Sequence, residues 1–245
     1  MEGFLPIGAL AILIGGFLSS GPNTSPSTDS PDFAKDRQIA AALATVRIRN
    51  TALGREGSGC LVGKSGPFVF ILTAQHLIRG SSSFQVAIFA KESYPKPQKE
   101  YASAEVVAEL HGMADLALLR LRTTDIMPSY VTVCPESKVP DGEGLSMLTA
   151  GCDGGSAPTA KIEKAIGKKI GQRPDENDKA TFWEIKGKYS PGRSGGPLID
   201  KQGYLVGICS GTNRDKTYFT HVDEIHRFLK RQGYRDLLIE LKGEK

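Results

Sequence analysis

Cysteine is scarce in this sequence. Four residues in 245, Cys60, Cys134, Cys152 and Cys209, are too few for a small scaffold stapled by disulfides. Their spacings match no metal-ligand pattern such as paired C-x-x-C, so no metal site and no cofactor is expected, and the disulfide pairing stays open. Runs of like charge are lacking as well. The 31 Lys and Arg against 27 Asp and Glu give a net charge of +4, and the basic residues are scattered, which argues against a nucleic-acid partner. Helical periodicity is scarce outside the two ends of the chain, whereas 28 glycines and 14 prolines mark many turns. An all-β fold follows.

Only one long apolar run is present, residues 4–18, followed by Ser19, Ser20 and Gly21, which are small enough for a signal-peptidase site. Residues 1–21 therefore read as a signal peptide or, because the start carries Glu2 and no Lys or Arg, as an uncleaved N-terminal membrane tether. Either way the protein is expected to be exported, to a periplasm or the outside. Residues 22–31, rich in Ser, Thr and Pro, read as a disordered linker ahead of a catalytic domain spanning 32–245.

A short helix is expected at 32–43 with Asp32 as its N-cap. Six short β-type runs follow at 46–50, 59–63, 68–74, 84–89, 105–111 and 116–121, a count that suits a small closed barrel over about 44–122. Within it, 91–101 reads as a protruding loop, and 123–140 as the connection between two halves. Six more runs, at 145–150, 159–170, 182–185, 196–199, 204–210 and 217–222, predict a second barrel over about 143–222. A C-terminal helix at about 223–232 would be capped by Asp223, bury Ile225, Phe228 and Leu229, and stop at Gly233.

The chemistry centres on Gly192-Arg193-Ser194-Gly195-Gly196-Pro197. A serine bracketed by glycines can present its hydroxyl and the neighbouring backbone N–H groups to a carbonyl. The same letters satisfy the G-x-S-x-G pattern of α/β-hydrolases, but Gly195-Gly196-Pro197 cannot begin the helix that pattern requires. His76 follows the apolar strand ending Leu72-Thr73-Ala74-Gln75, where an imidazole can reach a cleft. Asp115 precedes the apolar strand Leu116-Ala117-Leu118-Leu119, a costly place for a carboxylate unless a donor such as a histidine N–H meets it. His221 and His226, five residues apart, fall on different faces of a helix and read as surface residues rather than a metal pair.

In the order His76, Asp115, Ser194, the sequence resembles the chymotrypsin and trypsin-like serine peptidases. The stretches that carry the likeness are 57–62, 72–76, 115–119, 192–197, 207–211 and 218–222. The resemblance implies two packed six-stranded antiparallel β-barrels and a serine endopeptidase acting on a polypeptide through an acyl-enzyme. Ser194 would be the nucleophile, His76 the base, Asp115 its orienting acid, and the N–H groups of Gly192 and Ser194 the oxyanion donors. Ser210 would bond near Asp115, and Ser210, Gly211 and Thr212 would pair with an extended substrate.

Two departures narrow the likeness. Arg193 stands where the animal enzymes carry an acid that pairs with a newly cut N-terminus, and no Ile-Val-Gly-Gly start is present, so no zymogen switch of that kind is implied. Leu77 replaces the cysteine beside the histidine, which points to the bacterial branch related to heat-shock and periplasmic quality-control proteases, over the protease domain alone. Lys188 and Thr217 take positions of the primary specificity pocket. Pointing inward, Lys188 would favour an acidic residue; pointing to solvent, it would leave Thr217 to narrow the pocket toward small aliphatic residues. The rival reading is a protease fold kept as an inactive binding or regulatory module, with Arg193 as its motive.

Overall fold

A computed structural model describes residues 33–81, 84–172 and 178–238. The expected export segment, linker and Asp32 cap lie outside them. The first helix, α1 (Lys35–Leu43), starts after Ala34, which supplies no side-chain cap. Among the described residues no helix is long and apolar enough to cross a membrane.

The first half contains β1 (Thr45–Asn50), β2 (Arg55–Ser65), β3 (Phe68–Ala74), the one-turn helix α2 (Gln75–Ile78), β4 (Phe84–Ile88), β5 (Lys99–Tyr101), β6 (Glu105–Leu110) and β7 (Leu116–Arg122). These strands form one antiparallel sheet in the order β5-β4-β1-β2-β3-β7-β6. The short β5 lies in the stretch expected to be loop, paired to β4 through Val86 with Tyr101 and Ile88 with Lys99. With Lys99 and Glu100 exposed, it shows none of the apolar alternation by which a strand is recognised. Among the described residues β5 and β6 do not pair, so this half is a curled half-barrel with one strand more than expected.

The second half contains β8 (Ser146–Gly151), β9 (Thr159–Gln172), β10 (Lys179–Lys186), β11 (Pro197–Ile199), β12 (Leu205–Asn213) and β13 (Lys216–His221). These six strands close into a barrel, as the count of apolar runs predicts. The connection between the halves is laced to the second one: the Cys134 N–H donates to the Leu205 carbonyl at 3.0 Å, and the Leu205 N–H to that of Thr132 at 2.8 Å.

Strand periodicity explains how the halves meet. On β3 and β7, Ile71 and Leu119 face a core inside the first half, whereas Leu72 and Leu118 face a second core with Trp183, Ile185 and Phe219. Both faces are thus buried, which is why these strands read as unbroken apolar runs rather than alternating ones. Their ends open at the junction of the two halves.

The last helix, α3 (Val222–Arg231), corrects two expectations. Its N-cap is His221, whose Nδ1 accepts the Asp223 N–H at 3.1 Å, so Asp223 sits inside the first turn. There its charge suits the positive end of the helix dipole. Moreover His221 and His226 are buried, not on the surface. His221 lies against the Trp183 ring at 5.0 Å, and His226 Nε2 meets the Cys134 carbonyl at 2.8 Å. An imidazole can be buried where the sequence suggests surface because, unlike a lysine, it can be held neutral. Burial pushes His221 down to about 4.

Candidate active site

His76 is the second residue of α2, directly after β3, so an apolar strand locked in both cores carries the imidazole to the junction. Asp115 binds it twice: Oδ1 accepts the His76 backbone N–H at 2.8 Å, and Oδ2 lies 2.7 Å from Nδ1. The Ser210 hydroxyl donates to the same Oδ2 at 2.8 Å. A carboxylate is an acceptor, so Nδ1 carries a proton, which in the neutral ring leaves Nε2 as the acceptor. Asp115 has a φ of +51°, in the left-handed region. Asp tolerates that region better than most residues, and a residue held there is a mark of imposed geometry.

Ser194 is docked onto the first half by backbone. The Ser58 N–H donates to the Ser194 carbonyl at 2.7 Å, and the Ser58 hydroxyl to the Gly192 carbonyl at 2.7 Å. Contact is so close that a Cβ on Gly195 would lie 2.0 Å from the Ser58 carbonyl oxygen, and one on Gly192 would lie 2.2 Å from that of Cys152. Both glycines also have positive φ, +83° and +101°, so neither position accepts another residue without strain. Gly195 and Gly196 give their N–H groups to the carbonyls of Cys209 and Arg193. Among the described residues the N–H groups of Gly192 and Ser194 have no protein acceptor. Nor does a hydrogen bond join Ser194 to His76.

A cleft of about 820 Å³ runs from His76 and Asp115 along Ser210, Gly211 and Thr212, with Phe182 and Tyr218 on its wall. A second hollow, about 490 Å³, opens beside Gly192 between Glu56 and Gly155. β11 pairs with β12 only as far as Ile208, and β13 covers the other edge of β12. Among the described residues, therefore, Ser210 to Asn213 turn an unpaired strand edge to the cleft. Lys188 is exposed, whereas Thr217 is buried and donates its hydroxyl to the Gly187 carbonyl at 2.7 Å.

All four cysteines are buried and unpaired. Burial pushes the thiols of Cys152 and Cys209 up to about 12, so neither is an activated nucleophile. No group of His, Cys, Asp and Glu among the described residues could hold a metal.

Sequence reasoning gave Arg193 no partner, and the structure supplies one. Its side chain is wholly buried, with Nε and Nη2 on the two oxygens of Asp153 at 2.9 and 2.8 Å and the guanidinium 4.8 Å from the centre of the Tyr189 ring. Burial, the largest single influence, raises the Asp153 carboxyl, but the bond and charge of Arg193 together with Lys161 outweigh it and hold the group below its usual range. Asp153 stands in Gly151-Cys152-Asp153-Gly154-Gly155, between two predicted strands, where an Asp is an ordinary turn residue. Nothing local signals its role.

The trypsin-like peptidase domain family matches residues 57–208, a span that takes in His76, Asp115 and Ser194. A protein of Sinorhizobium fredii named uncharacterized protein y4bJ is 29% identical over 192 residues, 76% of this chain and 26% of that protein. A probable periplasmic serine endoprotease DegP-like of Hahella chejuensis is 30% identical over 157 residues, 63% of this chain and 29% of that protein. The chain thus spans less than a third of the length of these curated relatives. Among solved structures, the active form of the Rv3671c protease from M. tuberculosis shares the fold with a TM-score of 0.65 at 22% identity, over 89% of this chain and 95% of that one.

Proposed function

The chain belongs to the trypsin-like peptidase family, and we propose that it is an exported serine endopeptidase working through His76, Asp115 and Ser194. One observation carries the reading. Asp115 grips both the backbone and the ring of His76 and turns Nε2 outward, the nitrogen that in a neutral ring is left to accept a proton, which is what a general base for a serine hydroxyl requires. Ser194 attacks the substrate carbonyl as Nε2 takes its proton, and the N–H groups of Gly192 and Ser194 receive the negative charge that builds on the carbonyl oxygen. The imidazolium then protonates the leaving amine, and water repeats the sequence on the acyl-enzyme.

The substrate is an extended polypeptide laid against Ser210, Gly211 and Thr212 as an added strand. Between the two pocket readings, the exposure of Lys188 supports a small aliphatic residue at the cleavage site, since buried Thr217 then limits the room. Export rests on the apolar run 4–18 and accords with the periplasmic name of the Hahella relative. Hydrolysis of an unfolded polypeptide tests the activity. Wild type should cut it and Ser194→Ala should not; equal cutting by both would overturn the reading.

A further inference from the structure

The side chain between the two proposed oxyanion donors is fully buried, charged and paired. Arg193 presents two parallel N–H bonds to Asp153, and Nη2 also reaches the Thr159 hydroxyl at 3.0 Å. A forked pair of this kind fixes the plane of the guanidinium, not merely its distance. Buried ion pairs are poor sources of stability compared with apolar packing of the same volume. What this one does supply is a fixed position for the backbone on either side of Arg193.

The turn that carries Asp153 grips that backbone at further points. The Gly154 N–H donates to the Pro191 carbonyl at 2.7 Å, and the Cys152 N–H donates to the Ser58 hydroxyl, which itself holds the Gly192 carbonyl. A Cβ on Gly151 would lie 2.6 Å from Arg193 Cγ and 3.1 Å from its Cα. The turn is in turn fastened to the first half, because Arg47 Nη1 donates to the Gly155 carbonyl at 2.9 Å. Lys161 lies 3.4 Å from Asp153 at the surface side and adds a second cation there.

We propose that Asp153 and Arg193 are positioning residues that latch the Gly192–Ser194 backbone in the shape that accepts the oxyanion, so that the site is assembled by the chain's own interior pair. Neither side chain touches substrate. The inference rests on the reading of Ser194 as nucleophile, and it places the positioning charge on Arg193, with Asp153 as its counter-charge.

The test uses the full chain with Asp153→Asn, Arg193→Met and the double variant. Asp153→Asn keeps the shape of the side chain and carries the test if Arg193→Met fails to fold. For each single variant kcat should fall by about 10² or more while KM changes by less than about threefold, because the lost interaction acts on the transition state. The double variant should be no worse than the more damaged single one, since the two groups act as a unit. Backbone hydrogen exchange supplies a readout independent of catalysis. The Gly195 and Gly196 amides should exchange at least about tenfold faster while β1 to β4 stay as protected as in wild type. Unchanged exchange at those two amides, or kcat within about threefold of wild type, overturns the latch. A wild type that cuts nothing defeats the functional reading, and the exchange comparison then still decides the latch.

Discussion

One carboxylate, Asp115, holds His76 by two different handles, its backbone N–H at 2.8 Å and its ring Nδ1 at 2.7 Å. The first fixes where the start of α2 sits; the second fixes which way the ring faces and which nitrogen carries the proton. Asp115→Asn offers an acceptor to one handle only, and its amide N–H can meet Nδ1 only in the wrong tautomer. The variant should fold and lose about 10³- to 10⁴-fold in kcat, read by initial rates on a peptide substrate. A loss below about tenfold would mean that ring orientation is set elsewhere.

Lys188 stands at the proposed pocket position but is exposed. Lys188→Ala should therefore leave cleavage after small aliphatic residues in place, with kcat/KM within about threefold of wild type on a peptide library. A shift away from acidic residues, or a general loss of selectivity, would show that the ammonium lines the pocket.

Stability should depend on pH through His221, which burial holds at about 4 against an ordinary 6.5, although Asp223 pulls the other way. Burial lowers His226 in the same direction. Between pH 6.5 and 4 the unfolded chain takes up a proton that folded His221 refuses. The stabilisation is therefore complete above about pH 6.5 and drains away as the pH falls. Tm should drop by several degrees between pH 7 and pH 5, and His221→Asn, which can still cap α3, should flatten that slope. Parallel slopes for the two proteins would contradict the assignment.

The legible features are those whose signal is local. The barrel strands are legible as short apolar runs between turns, and His76, Asp115 and Ser194 stand out as candidate residues near their ends. Gly195 and Gly196 belong to the motif, and no side chain fits at Gly195 because the Ser58 carbonyl already fills the space. What stayed hidden depends on contact between distant segments. Asp153 and Arg193 are 40 positions apart, and neither residue alone distinguishes a latch from a surface charge. His221 and His226 depart from the surface expectation for a related reason. Polar side chains near a helix start are usually solvated, and only the packing of Trp183 over one and the Cys134 carbonyl against the other make burial acceptable. The charged β5 carries no local signal because an edge strand needs no apolar face.

The central claim is that Ser194 is a nucleophile activated by His76, and a fluorophosphonate probe measures it most directly. Wild type should be labelled covalently at Ser194, His76→Ala should be labelled at least about 10²-fold more slowly, and Ser194→Ala should not be labelled at all. Equal labelling of wild type and Ser194→Ala would contradict the assignment, and a folded wild type that takes no label would leave the protein as a binding module on a protease fold.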